Sequence, residues 1–487
     1  MRTSVIGYPR VGALRELKFA TEKYFRNEIT GEELQQVGKE IRKTQWKIQK
    51  ESGLDFIPSN DFSFYDNLLD TAVLFHIIPK RYLDLGLSQL DTYFAMARGY
   101  QGEEGDVKAL AMKKWFNTNY HYMVAEIEDN TEISLCGTKP FDEFTEAREL
   151  GILTKPVVMG PFTLLKLARY TGKKSADDFA EDVVKSYSEL IEKFGVLGAE
   201  WIQFDEPYLV YDLTKEDSSL FVRLYEKILA SKGSTKILLQ TYFGDIRDVY
   251  QKAVHLDFDG IGLDFMEGTR TKDLIAQNGF PKAKTLFAGL INGKNIWRNN
   301  YEKTLDVLAE LKNSGIDPVL STSCSLLHVP YTLENEKKLS VDYTKHFAFA
   351  EEKLSELAEL KLLSESEDAT KEEEYQVNRE LFKGRINCCD EAVQKRVKNI
   401  QDSDFTRLPV FEEREAIQKK EFALPLFPTT TIGSFPQTGD VKANRRDFKQ
   451  GKITGEQCAT ANLQISFRLL TIWMQMSSPL KPPVRIC

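Results

Sequence analysis

A short strand-and-turn pattern occurs twice in this chain, and that repeat constrains its architecture more than any other feature. Ser4-Val5-Ile6-Gly7-Tyr8-Pro9-Arg10 opens the sequence, and Thr431-Ile432-Gly433-Ser434-Phe435-Pro436 returns near its end. Each copy runs an apolar strand into Gly and a Pro-containing turn, and a basic helical stretch follows. Roughly two dozen residues later each reaches a second landmark, Ile29-Thr30-Gly31-Glu32-Glu33 in the first copy and Ile453-Thr454-Gly455-Glu456-Gln457 in the second. Two landmarks in one order at nearly one spacing indicate a duplicated domain whose second copy stops soon after it starts.

Between the copies, apolar or β-branched runs recur at 54–58, 120–124, 156–160, 201–204, 237–242, 260–264, 286–290 and 318–321. Amphipathic helical patterns such as 176–194 and 302–314 separate them, which indicates parallel βα units. With the opening strand there are nine candidates for eight strands. The expected fold is therefore α/β, a TIM-type (β/α)8 barrel, with 120–124 the weakest strand and one of the nine outside the barrel. Thr30 to Glu33 reads as a capping box that starts a helix over 32–52, ended by Gly53. In such a barrel the site forms just after each strand. Those positions are polar here: Arg10 and Arg15, Asn60-Asp61, Asp205-Glu206, Asp264 and Glu267, Asn292, and Ser323-Cys324-Ser325.

From about 347 to 421 the chain is dense in Glu and Lys, with almost no Gly, and reads as solvated helices bridging two domains. The expected division is 1–345 for the barrel, 346–425 for a charged helical linker, and 426–487 for a truncated start of a second barrel with an unmatched tail, 458–487. That tail has no Asp or Glu, against 73 in the 487 residues of the whole chain. Its apolar part, 463–476, contains Arg468 and is shorter than the ~20 residues of a spanning helix. No membrane anchor is expected. A net charge of -8 and a pI near 5.5 argue against nucleic acid and anionic membranes as partners. The first residues enter a strand directly, so a cytoplasmic protein is expected. Six scattered cysteines, Cys136, Cys324, Cys388, Cys389, Cys458 and Cys487, suit reduced thiols.

Three sets of residues bear on chemistry. The five histidines and the cysteines show no metal-ligand spacing; Cys324 and His328 lie close in sequence, but two residues do not make a four-ligand zinc site. Asp205-Glu206 ends a strand and suggests a glycosidase carboxylate pair, whose partner would come from Asp264 or Glu267. The structural alternative has Asp205 orienting barrel-top side chains and Glu206 in an ion pair. Arg15 and Lys18 share a helix face after the first strand, and Lys113-Lys114 add charge from another loop. Such a cluster suits a phosphate or polycarboxylate ligand, and a solvated basic face explains it equally.

Several long motifs resemble the cobalamin-independent methionine synthase family, which is built from two face-to-face TIM-type barrels. They are Gly7 to Gly12, Arg15-Glu16-Leu17-Lys18, Lys114-Trp115-Phe116-Asn117-Thr118-Asn119-Tyr120-His121-Tyr122, Phe204-Asp205-Glu206-Pro207, Ser323 to Pro330, and Leu424 to Pro436. The likeness runs from Met1 to about Gln457. It implies methyl transfer from 5-methyltetrahydropteroyltri-glutamate to homocysteine, forming methionine, without cobalamin. Arg15, Glu16, Leu17, Lys18 and Lys114 match family positions that contact the folate and its glutamate tail. Ile432, Gly433 and Ser434 match positions that hold homocysteine.

The family also implies a zinc ion bound by a His, two Cys and a Glu, and a catalytic His, all deep in the second barrel; none of these is in this sequence. The tail reads as a shifted frame or an early truncation. On that reading the chain alone is inactive. The alternatives are a non-catalytic polyglutamyl-folate-binding barrel or one half of a split enzyme, and, less favoured, a barrel glycosidase.

Overall fold

The computed structural model describes residues 1–383, 390–429 and 438–458. It divides into two compact units, Met1–Asn387 and Cys388–Cys487. The first is built on eight parallel strands: β1 (Arg2–Ser4), β2 (Ile57–Ser59), β3 (Thr154–Met159), β4 (Trp201–Asp205), β5 (Lys236–Gln240), β6 (Gly260–Asp264), β7 (Thr285–Ile291) and β8 (Val319–Thr322). They follow one another around the sheet, and β1 pairs with β8. A parallel bridge from Ser4 to Phe56, with the Phe56 N–H donating to the Thr3 carbonyl at 3.0 Å, joins β2 to β1 and closes the ring.

The period-two geometry of a strand decides what fills this barrel. Along β4, Ile202 and Phe204 are fully buried in the layer between sheet and helices. Trp201 faces inward and forms the floor with Leu238, Phe287 and Val319. Gln203 and Asp205 continue that inward row toward the mouth, so the interior grades from apolar to polar. The ninth candidate strand lies outside: His121–Met123 pairs antiparallel with Met112–Lys114 in a hairpin inserted between β2 and β3.

Helix Gly31–Glu51 starts at the capping box, with the Glu33 N–H on Thr30 Oγ1 at 3.2 Å and the Thr30 N–H on the Glu33 carboxylate at 2.7 Å. The charged region differs from its sequence reading. Helix Ala350–Glu365 is not a solvated bridge: Leu354, Leu357, Leu360 and Leu363 are at most 1% exposed, and the helix covers β1, β7 and β8. Packing of those leucines on the barrel overrides charge density there. Helix Glu373–Lys383 follows it into the same unit, with Asn378 accepting the Tyr301 N–H at 3.0 Å.

The second unit contains helices Glu391–Lys398, Phe411–Phe422 and Gly439–Lys449, none with a buried residue. After the last of these, the Gln457 N–H donates to Thr454 Oγ1 at 3.2 Å and the Thr454 N–H to Gln457 Oε1 at 2.9 Å. The second landmark thus reproduces the reciprocal capping of the first. Ile432, Gly433, Ser434 and the tail from 459 lie outside the described residues.

Candidate functional site

The loops that follow the strands meet at the barrel mouth and tie one another down. The Leu326 N–H donates to the Gly7 carbonyl at 2.9 Å, and a Cβ on Gly7 would stand 2.7 Å from Ser325 Oγ, so only Gly lets the β1 and β8 loops close. Asp61 accepts the Tyr8 N–H at 2.8 Å, and Arg10 donates to the carbonyls of Ser63 and Phe64. Ile6, Gly7, Arg10, Asp61, Asp205 and His328 are among the residues that line the cavity between these loops.

Asp205 and Glu206, adjacent in sequence, separate completely. Asp205 points into the barrel, where Gln203 donates to it at 2.7 Å and the Tyr242 hydroxyl at 3.1 Å. Below it Lys155, 2% exposed, donates to the Val5 carbonyl at 2.9 Å and to Gln203. Burial pushes the Asp205 carboxyl up and the Lys155 ammonium down. Glu206 turns outward and forms no ion pair among the described residues. It accepts the N–H groups of Phe162 and Thr163 at the start of helix Pro161–Leu167, the Thr163 hydroxyl at 2.6 Å and the Tyr225 hydroxyl at 2.7 Å. Burial raises it to about 7 even so. A Cβ on Gly160 would stand 2.2 Å from its carboxyl, so the Gly makes room for this cap.

Asp264, 1% exposed, takes the N–H groups of Phe243, Met266 and Glu267. Glu267 pairs with Lys294 at 2.8 Å and accepts from Asn117 at 2.9 Å. These carboxylates organise loops, and a glycosidase pair is not favoured. Cys324 is buried, and burial pushes its thiol up, away from thiolate. Burial and Lys294 lower His328 to about 4.

The loop 115–120, at the tip of the outer hairpin, straps the mouth. Phe116, at φ 53, stacks on Tyr211 at 5.1 Å and leans on Phe243. Tyr120 meets the His328 ring edge-on at 5.3 Å, and Asn117 accepts from Lys294 at 2.7 Å. The strap therefore touches loops after β4, β5, β6, β7 and β8.

The five residues matched to a folate tail divide by exposure. Arg15, at φ 66, caps the start of helix Glu16–Phe25, is exposed, and has no ion pair among the described residues. Lys18 is exposed, 3.8 Å from Glu22. Glu16 accepts the Leu14 N–H at 3.0 Å and folds against Gly12, and Leu17 is 1% exposed against Ile41 and Phe62. Both shape the turn that presents the two cations. Lys114 is exposed and opposite His121, which lines the cavity. No hydrogen bond or ion pair joins Lys114 to Arg15 or Lys18. Sequence reasoning missed Lys155, Gln203, Tyr242 and Lys294. Gln203 was within reach, because it stands two residues before Asp205 on the same face of β4.

The family model described as "Cobalamin-independent synthase, N-terminal domain" matches residues 2–316, and "Cobalamin-independent synthase, Catalytic domain" matches 427–467. The chain belongs to the cobalamin-independent methionine synthase family. A 5-methyltetrahydropteroyltriglutamate--homocysteine methyltransferase of Streptococcus suis is 54% identical over 457 residues, covering 94% of this chain and 60% of that protein. One from Campylobacter jejuni subsp. doylei is 53% identical over 465 residues, covering 95% of this chain and 61% of its own. The chain thus spans about three fifths of the length of these relatives. A putative vitamin-B12 independent methionine synthase from Listeria monocytogenes superposes with a TM-score of 0.52 at 17% identity, covering 74% of this chain and 98% of the other. A B12-independent methionine synthase from a Shewanella species, in complex with selenomethionine, gives 0.51 at 16%, covering 74% and 97%. At such identities the family structures bear on the fold alone, and they agree with the barrel.

Proposed function

We propose that this chain supplies the methyl-donor side of a transfer from 5-methyltetrahydropteroyltriglutamate to homocysteine, and that its barrel rim receives the glutamate tail. The observation that carries this is the pair of exposed cations on the helix after β1, Arg15 and Lys18, together with Lys114 on the hairpin that lines the mouth. Arg15 and Lys114 spend no charge on a described carboxylate. A triglutamate presents several carboxylates, which guanidinium and ammonium groups meet by charge-assisted hydrogen bonds. Homocysteine is assigned to Ile432, Gly433 and Ser434 by resemblance. A cytoplasmic location belongs to the same reading, and among the described residues no helix is long and apolar enough to cross a membrane.

The described residues do not fit the zinc that the family implies. Among them no group of three or more His, Cys, Asp or Glu side chains is placed to hold a metal ion, and burial raises the Cys324 thiol where a zinc ligand needs a thiolate. Calorimetric titration with mono- and triglutamyl 5-methyltetrahydrofolate tests the rim. The triglutamate should bind tighter, salt should weaken it, and Lys18→Ala should loosen it a few-fold, the scale of an exposed ion pair. Equal affinity for the two ligands, or no effect of the substitution, rules the assignment out.

A further inference from the structure

Beneath the strap the mouth narrows to a cavity of about 60 Å³. At ~10–15 Å³ for each water-sized occupant, it has room for a ligand of roughly four to six non-hydrogen atoms. Three carboxylates on its wall, Asp61, Asp66 and Asp205, form no ion pair among the described residues; Asp66 spends its oxygens on the N–H groups of Leu68, Leu69 and Met123, which leaves Asp61 and Asp205. Asp61 accepts the Tyr8 N–H and has no ion-pair partner among the described residues. Asp205, 4% exposed, is held only by two neutral groups, Gln203 and Tyr242. The nearby Lys155 ammonium acts on both carboxylates only through space, because its hydrogen bonds go to the Val5 carbonyl and to Gln203. A buried carboxylate is costly without a compensating charge. Burial raises both of these, Asp61 to about 6, as expected of groups that want one.

Two further polar atoms on the wall have no hydrogen-bond partner among the described residues. The Ser63 hydroxyl belongs to a residue only 2% exposed, and His328 Nδ1 is buried across the cavity on the β8 loop. Trp115 and Tyr120 add aromatic surface. The one arginine on the wall, Arg10, directs its guanidinium to backbone carbonyls, so the cavity offers an anion little. Carboxylates, an open hydroxyl and aromatic faces around a space of this size are the complement of an alkylammonium group.

We propose that the barrel mouth is a binding site for a small organic ammonium ion, its N–H groups shared among Asp61, Asp205 and the Ser63 hydroxyl, with Trp115 and Tyr120 as walls. It is distinct from the basic rim assigned to the glutamate tail, and either assignment can fail without the other. The test is calorimetric titration of the full chain with ethylammonium, beside ethanol and acetate as neutral and anionic probes of similar size. Ethylammonium should bind saturably, ethanol at least ten-fold more weakly, and acetate not at all. Asp61→Asn keeps an acceptor for the Tyr8 N–H and removes only the charge, so affinity should fall at least ten-fold. Ser63→Ala should lower it about three-fold and carries the test if the first variant misfolds, which circular dichroism reveals. No saturable binding, equal affinity for ethanol, or unchanged affinity in the folded variants overturns the site.

Discussion

Two helices from one charged stretch of sequence meet opposite environments. Ala350–Glu365 buries seven residues, while Phe411–Phe422 buries none. Both are rich in Glu and Lys, so charge density does not separate them. What each packs against does. Leu354, Leu357, Leu360 and Leu363 are buried where their helix covers β1, β7 and β8. In the other helix Phe411 and Ile417, at the same six-residue separation as Leu354 and Leu360, are both exposed. Each buried leucine contributes ~1.5–3 kcal/mol, which offsets the burial of Lys353 and Glu356 beside them. Those charges are still met: Lys353 donates to the Trp297 carbonyl at 3.3 Å, and Glu356 accepts the Asn299 N–H at 2.8 Å.

The sharpest way to break this contrast is truncation. A fragment of residues 1–383 should unfold cooperatively, whereas one of residues 1–345 should show no cooperative transition, because it strips the cover from three barrel strands. Denaturant titration followed by circular dichroism decides it; a stable 1–345 fragment would return the helix to the linker. Next in size, Leu357→Ala should cost ~2–5 kcal/mol in the full chain, and Ile417→Ala should stay within ~0.5 kcal/mol. Similar urea midpoints for the two variants would erase the distinction.

Smaller still is the share of the buried helix in the pH dependence of stability. Burial holds the proton on Glu356 to about 6, against an ordinary 4.5. As pH rises from 4.5 to 6 the unfolded chain releases that proton and the folded chain keeps it, so the folded form binds more protons and stability falls across the window. The loss is roughly 2 kcal/mol at 1.36 kcal/mol per pKa unit. Glu356→Gln should remove it, seen as a flatter dependence of Tm on pH between 4.5 and 6; an unchanged slope would mean that Glu356 is already solvated.

Much of the barrel was legible because strands and helices carry their own periods. All eight barrel strands overlap runs read from the sequence, and the weakest run, 120–124, is the one outside the ring. The opposite directions of Asp205 and Glu206 also follow from strand geometry, although Glu206 caps a helix and makes no ion pair among the described residues. The strap was not legible. Phe116 and Asn117 meet Tyr211, Phe243, Glu267 and Lys294, each from a different loop far along the chain, and no local pattern encodes those encounters. The rim cations were readable as charges, but that Leu17 is a core residue and Glu16 a turn brace depended on what packs over them.

The sequence by itself determined the alternation of strand and helix, the repeat and the capping box of its first copy, and the polar strand ends that surround the mouth. These rest on interactions within a few residues: backbone period, side-chain alternation and local hydrogen bonds at helix starts. Only the tertiary structure decided which charged helix joins the core, which carboxylates are spent on backbone amides, and which are left facing a cavity without a cation. Those outcomes depend on desolvation by groups distant in the chain. Burial changes what a carboxylate, lysine or leucine contributes far more than the identity of its neighbours in sequence does.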